Sequence, residues 1–403
     1  MTTENNAHCL FEKSISYESQ SKARIKTSVI PSKENDPCAD KFPMLHTIKY
    51  SGCKSRLLPI IVWLVKQVVK PGGTVLDLMA GTHCVGYALK QQYQIYANDI
   101  QEYSYIIGKA YIKNGGYSVN GGLAEKDLLS SITRNNKAGR FDLFQKAYAD
   151  TYFTESQCIE IDNIRAAVDE VPSPRKELYL TTLMSAMCYA SNSTGHFAEF
   201  LSKKPPEPKS VQDLFFKKCG NISVVANRYE NDVFNTEHRA FLDGTNPRLT
   251  KIVGESDLLY VDPPYSPAQY SRFYHVLETL VKYDYPSVEF KGRYRKDRYF
   301  SAFCRKSEAQ SELDNTLKMC SKICRGFVLL SYVDSKSCII PKDRVEEIVQ
   351  SHFKHATKPL AFEVSHSKLG NGVSKEVTEY FILATDLAQG KEVASKLNSH
   401  YAS

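Results

Sequence analysis

Long apolar runs are missing from this 403-residue chain. A membrane span needs about 18–20 continuous apolar residues. The best candidate, LLPIIVWLVKQVV (57–69), falls short and is interrupted by Lys66. The amino-terminal MTTENNAHCLFEKS carries acids and no apolar core, so no secretory signal is expected. Metal-type cysteine spacing is missing too: the 11 cysteines include no C-x-x-C pair, and Cys320/Cys324 is the one close pair. These absences predict a cytoplasmic protein with reduced, mostly buried thiols and no metal site. A strong charge of one sign is also lacking. The 52 basic residues face 45 acidic ones, a net +7. That balance permits a polyanionic partner without demanding one. Tryptophan occurs once, against 25 tyrosines. Hydrophobic residues at 42% and charged residues at 24% exclude wholesale disorder. The length suits two domains, or one large domain with an insertion.

Residues 1–43 are polar, with six acids balancing six bases. They read as a loosely ordered extension. From residue 44 the pattern changes. A short loop and an apolar helix end at Pro71-Gly72-Gly73. TVLDLMA (74–80) and YQIYANDI (93–100) read as buried strands, each followed by a helical segment, which makes a βαβ unit. Residues 114–122 form a glycine-rich loop, and roughly 123–219 reads as almost wholly helical, broken at PSPR (172–175) and KKPPEPK (203–209). Strands are expected again at ISVVANRY (222–229), DLLYVD (257–262) and GFVLLSYV (326–333). Helices are expected at 270–283, 308–324 and 342–352. Strands 359–366 and 377–385 flank a Gly-Asn-Gly turn and read as an antiparallel hairpin. The expected organisation is a discontinuous α/β domain (44–113 and 222–403) interrupted by a helical insertion (114–221).

The turn DLMAGTHCVG (77–86) lies between a strand and a helix, and Asp99 follows at the end of the next strand. Glycine there lets backbone approach a ligand, and an acid on the second strand can bind ribose hydroxyls. A dinucleotide fingerprint is excluded, because only Gly81 and Gly86 are present. A phosphate-binding P-loop is excluded, because Tyr87-Ala88 follows where Lys-Ser/Thr is required. Asp77 would repel a pyrophosphate but attract an ammonium or sulfonium, as in S-adenosylmethionine. From this loop alone, a plain βα turn remains an equal alternative.

LLYVDPPYSPAQYSRFYH (258–275) places Asp262-Pro263-Pro264-Tyr265 at the carboxyl end of a strand, where α/β proteins bind ligands. Two prolines stiffen the turn and leave carbonyls free as acceptors. Asp262 adds a carboxylate and Tyr265 a flat ring. Such a set can hold an exocyclic amine: carboxylate and Pro263 carbonyl accept its two hydrogens, and Tyr265 stacks on the base. Acceptors aimed this way favour a pyramidal nitrogen with an available lone pair. The bland alternative is a rigid corner.

KYSGCKSRLLPII (49–61), DLMAGTHCVG, NDI (98–100) and DPPY, in that order, resemble the Dam-like adenine-N6 DNA methyltransferases of the α class. SNSTGHFAEFL (191–201), NRYENDVF (227–234) and SKEVTEYFIL (374–383) share the likeness. The resemblance implies a class I methyltransferase (Rossmann-like) α/β fold: a mixed sheet, a C-terminal antiparallel hairpin and a mostly helical inserted target-recognition domain. It implies S-adenosylmethionine as cofactor and adenine N6 in double-stranded DNA as methyl acceptor; the alternatives are an RNA adenine-N6 methyltransferase and a non-catalytic DNA-binding protein of the same fold. It assigns Tyr50 and Lys54 to the cover over the cofactor's methionine end, and Asp77, Met79, Ala80, Gly81 and Thr82 to the loop around it. Asp99 and Ile100 fall to the ribose, Asp232 and Val233 to the adenine, and Asp262, Pro263, Pro264 and Tyr265 to catalysis. The sequence departs from the family at Met79, where Phe is usual, and at His83, where glycine is usual; histidine is tolerable there if φ stays negative. His83 is expected to pack in the loop. Cytosine-C5 chemistry is rejected, since its Pro-Cys occurs only at 37–38 in the polar extension.

The target base must leave the duplex to reach Asp262, so base flipping is implied. Segment 286–306 holds seven basic and two acidic residues beside Phe290, Tyr294 and Tyr299. Lys291, Arg293, Arg295, Lys296 and Arg298 are therefore expected to grip phosphates. Tyr270 and Arg272 are expected near the target base, while Tyr274 and His275 are divided between that role and packing. No helix-turn-helix signature marks the insertion. A separately encoded restriction nuclease is left open.

Overall fold

The computed structural model describes residues 42–117, 123–139, 141–203, 205–335, 337–366 and 375–401. The Gly-Asn-Gly turn and nearly all of the polar extension lie outside these residues. The strands are β1 (Thr74–Asp77), β2 (Gln94–Asn98), β3 (Asp232–Phe234), β4 (Leu258–Val261), β5 (Val288–Glu289), β6 (Tyr294–Arg295), β7 (Phe327–Asp334), β8 (His355–Ala356), β9 (Leu360–His366) and β10 (Lys375–Thr385). Among the described residues, eight form one sheet in the order β3-β2-β1-β4-β7-β10-β8, with β9 also on β10. β3, β2, β1, β4 and β7 run parallel, and β10 is antiparallel to β7, β8 and β9. This is a class I methyltransferase layout: a parallel sheet closed by antiparallel strands.

The apolar runs in the sequence are runs because both sheet faces are covered. Side chains alternate across the faces. Val75, Leu258, Tyr260, Phe327 and Leu329 enter one core, while Leu76, Leu259, Val261, Val328 and Leu330 enter the other. The helices are α1 (Leu58–Val68), α2 (Cys84–Leu89), α3 (Glu102–Gly108), α4 (Leu123–Ala138), α5 (Leu143–Tyr148), α6 (Glu155–Asp169), α7 (Arg175–Ala190), α8 (Val211–Cys219), α9 (His238–Leu242), α10 (Pro247–Glu255), α11 (Tyr270–Phe273), α12 (His275–Lys282), α13 (Ala309–Ile323), α14 (Lys342–His352) and α15 (Gly390–Tyr401). α1 to α8 and α12 supply the first core, and α9, α10, α13 and α14 the second. The helices between residues 123 and 219 thus pack into the same core as the sheet; α7, for example, lies against α3 and α6.

Three local expectations are corrected. Residues 222–229 are not a strand. The Val225 amide donates to the Tyr87 hydroxyl, and the Asn227 side chain donates to the Ile112 carbonyl. Asn231 Oδ1 takes the Ile95 amide at 2.8 Å, a place a neighbouring strand would otherwise fill. The sheet edge is instead β3. The helix expected at 270–283 breaks at Tyr274, because the Phe273 carbonyl accepts from the Phe197 amide at 2.7 Å. The segment 286–306 contains a small hairpin of β5 and β6, turned by positive φ at Phe290 and Arg293. No helix among the described residues is long and apolar enough to cross a membrane.

Candidate functional site

The carboxyl ends of β1, β2 and β4 open into one pocket of about 1020 Å³, part of it solvent. Open α/β sheets bind ligands at this edge. The loop after β1 is tied down by its neighbours. The Leu78 amide donates to the Tyr260 carbonyl, and Ala80 to the Asn98 carbonyl. Asp99 accepts from the Gly81 amide at 2.8 Å and from the Gln101 amide at 2.9 Å. Gly81 has φ +53°, and a Cβ there would lie 3.2 Å from the Tyr50 hydroxyl. Glycine is needed because Tyr50 closes over the loop.

His83 sits at φ 60°. The position does take a positive φ, against the condition under which histidine was acceptable. Side-chain bonding holds it there: Nε2 lies 2.9 Å from the Ser104 carbonyl, and the ring is fully buried. Burial lowers its pKa to about 4, so the ring is neutral. His83 packs the loop from beneath and does not line the pocket.

Asp77, at the end of β1, is 1% exposed and lines the pocket. Neither carboxylate oxygen has a hydrogen-bond partner among the described residues. The Gly86 amide is oriented favourably toward it without reaching hydrogen-bond geometry. Burial, then the nearby Asp262 and Asp99, hold its pKa well above the ordinary range. An unpaired buried carboxylate facing a cavity is a socket for a cation.

Asp262 follows β4 directly. Its Oδ1 lies 3.1 Å from Lys54 Nζ, and the same nitrogen lies 3.1 Å from Glu379 Oε2 on β10. Lys54 also stands 5.8 Å over the Tyr265 ring. The ring packs on Tyr332, and the Tyr265 carbonyl accepts from the Ile339 amide at 3.0 Å. The loop is thereby stiffened beyond what two prolines give. Tyr50 stacks on Tyr274 at 4.7 Å and tilts against Tyr270 at 5.4 Å, forming an aromatic wall.

A family model described as D12 class N6 adenine-specific DNA methyltransferase matches residues 50–331. The chain belongs to this family. It is 27% identical over 324 residues to modification methylase LlaI of Lactococcus lactis subsp. lactis, covering 75% of this chain and 48% of that protein. It is 26% identical over 370 residues to type II methyltransferase M.FokI of Planomicrobium okeanokoites, covering 86% and 54%. It is 26% identical over 278 residues to type II methyltransferase M.NlaIII of Neisseria lactamica, covering 65% and 77%. The chain thus spans about half the length of the first two relatives.

In this D12-family chain, Tyr50, Lys54, Asp77, Met79, Ala80, Gly81, Thr82, Asp99, Ile100, Asp262, Pro263, Pro264, Tyr265 and Tyr270 all line the pocket. Asp232 and Val233 do not. Parallel register sets Asp232 beside Tyr96, three residues short of Asp99, where it pairs with Lys113 and Arg248. Thr236, beyond the end of β3, lines the pocket in their stead, and Asn235 donates to the Asp99 and Ile100 carbonyls. Sequence reasoning also passed over Asn98, Gln101, Gln269 and Glu379. Asn98 and Gln101 lie beside Asp99 and could have been found from the strand end; Glu379 falls in SKEVTEYFIL (374–383), which shared the family likeness but was given no role.

Burial raises Asp262 to about 6, against the lowering effect of Lys54. Burial also raises Asp99 to about 6, its two amide bonds opposing. The Lys54 ammonium suffers from burial, but Asp262 and Glu379 outweigh that and hold it well above its ordinary value.

The basic segment is divided. Lys291 and Lys296 are exposed, as is Arg272. Arg293 donates to the Ala147 carbonyl. Arg295 is not at the surface: it is 1% exposed and forks onto Asp284 and Asp297. Arg298 pairs with Glu289 at 2.6 Å. These two charges brace the hairpin, because planar guanidinium matches paired carboxylates. Phe290 stands 72% exposed at the hairpin turn. Tyr274 and His275 are fully buried; Tyr274 Oη accepts from the Ser51 amide and His275 Nε2 meets the Phe197 carbonyl.

Proposed function

We propose that this chain transfers a methyl group from S-adenosylmethionine to the N6 amine of a flipped adenine at specific sites in double-stranded DNA. The observation that carries the reading is the union, in one pocket, of the unpaired Asp77 carboxylate and the Asp262–Tyr265 turn. Asp77 offers a buried negative partner for the donor's amino-acid ammonium. Asp99 shapes the loop and faces the ribose position; Tyr50 covers Gly81. When bound, the donor supplies an electrophilic methyl group on a sulfonium.

Asp262 accepts one amine hydrogen, the Pro263 carbonyl accepts the other, and Tyr265 stacks on the base. With its pKa at about 6, Asp262 is mostly ionised near neutral pH. The amine nitrogen would thereby be held with its lone pair toward the donor's methyl group, and the Asp262 carboxylate would take up the proton that the nitrogen loses on transfer. Tyr50 and Tyr270 exclude water from this side of the pocket.

Exposed Lys291, Lys296 and Arg272 are proposed to hold phosphates, with Phe290 entering the space the base leaves. Segment 114–221 is proposed as the target-recognition insertion within the discontinuous domain 44–113 and 222–403. The relatives named modification methylase and type II methyltransferase support a restriction-modification role; a cytoplasmic setting and a separately encoded nuclease are part of the same proposal. The test is transfer of labelled methyl groups to matched DNA and RNA. Label is expected in DNA adenine, and Asp262→Ala should lose about 100- to 1,000-fold in rate while still binding DNA. Label confined to RNA, or an undiminished Asp262→Ala, would overturn the reading.

A further inference from the structure

We infer that Glu379 is a positioning residue for transfer: it shares Lys54 with Asp262, and so keeps the Asp262 carboxylate available to the adenine amine. The role rests on the adenine-methylation reading of the pocket. Glu379 is fully buried on β10, level with Val333 of β7, and β7 in turn borders β4. Lys54 comes from the other direction, in the 3-10 turn Lys54–Arg56. It spans the strand ends and stands 3.1 Å from each carboxylate.

Lys54 lies equally near the two carboxylates, so neither holds its charge alone. Asp77 adds a third acid close by. With Glu379 absent, Lys54 would turn wholly to Asp262. It would then compete for the oxygen that must accept the amine hydrogen. With Glu379 present, that claim is divided, and the Asp262 oxygen stays free to accept the amine hydrogen.

The charged and titratable groups facing Asp262 are Lys54, Glu379, Asp77 and the phenols of Tyr260, Tyr265 and Tyr270. Lys54 lowers the Asp262 pKa, and Glu379 raises it. Removing each partner should therefore move the acid limb of the pH–rate profile in opposite directions. A merely structural pair would not produce opposite shifts.

The experiment measures kcat and kcat/KM against pH for the full chain, its Glu379→Gln variant and its Lys54→Gln variant. The substrate is mixed-sequence DNA propagated without adenine methylation, and folding is checked by circular dichroism. Glu379→Gln is expected to lower kcat on the order of 10- to 100-fold, with donor KM little changed, and to shift the acid limb to lower pH. Glu379→Asp, which keeps the charge, should restore the limb. Lys54→Gln should shift the limb to higher pH. An unmoved limb in Glu379→Gln, or movement in the same direction in both variants, overturns the inference. Should Glu379→Gln fail to fold, the upward shift in Lys54→Gln decides, and its absence overturns the inference. A wild-type chain that methylates no DNA adenine would instead defeat the underlying reading.

Discussion

Asp77→Asn should make the protein more stable and less able to bind its donor. Asp77 is buried, faces the pocket and lacks a hydrogen-bond partner. Its pKa is held well above the ordinary range by burial first. The sign follows from linkage: an acid whose folded pKa is raised weakens the fold above its unfolded pKa and not below it. At pH 7 the penalty has a ceiling. Keeping a carboxyl with an ordinary pKa near 4 protonated costs about 4 kcal/mol. The asparagine amide, itself unpaired, returns roughly 1–3 kcal/mol of that as its own penalty. The net is a gain of about 1–3 kcal/mol at pH 7, a few degrees in Tm for a chain this long. The gain should be lost as pH falls below about 4, where the unfolded carboxyl is protonated as well and only the amide's own penalty remains. Donor affinity moves the other way. Loss of the charged partner should cost at least about 2 kcal/mol, or roughly 30-fold in Kd. Thermal unfolding at pH 7 and pH 4, with calorimetric titration of S-adenosylmethionine, measures both. A variant that is less stable at pH 7, or that binds the donor as wild type does, would refute the reasoning.

The pH dependence of wild type should show activity and stability pulling apart. Asp262 and Asp99 are both raised to about 6 by burial. Their ionisation should weaken the fold as pH rises from about 4 through 6, while kcat/KM rises over the upper part of that window and then levels. Unfolding free energy and rate, taken across the same buffers, check the two signs. The basic segment should also divide by experiment. Lys291→Ala should weaken DNA binding and reduce the slope of log K against log salt by about 0.9, as for one lost phosphate contact. Arg295→Ala should leave that slope alone for its own charge but lower Tm, since it strands Asp284 and Asp297, which are half-exposed and can rehydrate; the loss should stay near about 1–3 kcal/mol. Equal slopes for both variants, with equal Tm, would contradict the division.

Much of the site was legible because its signals are local. Asp262-Pro263-Pro264-Tyr265 needs only a strand before it, and LLYV is apolar enough to be one. The Gly81 loop needs only a strand–turn–helix pattern. Misreadings came where a partner from far along the chain decides the outcome. ISVVANRY has strand composition, yet side chains of Tyr87 and Asn231 satisfy the bonds a strand would have made. Asp232 carries the right residue type, but the register of β3 on β2 leaves it short of the pocket. Arg295 looked like its basic neighbours until Asp284 and Asp297 closed around it.

The sequence by itself determined the class of the sheet, the strand–turn–helix setting of the two loops, and the absence of dinucleotide and P-loop fingerprints. Periodicity and residue type are carried within a few neighbours, so no folding is needed to read them. Tertiary structure alone decided which charges remain available. It buried Arg295, left Asp77 unpaired, and joined Lys54 to Glu379 across 325 positions of chain. Charge is a property of a side chain, but its usefulness depends on what stands within about 4 Å of it, and only the fold sets that distance.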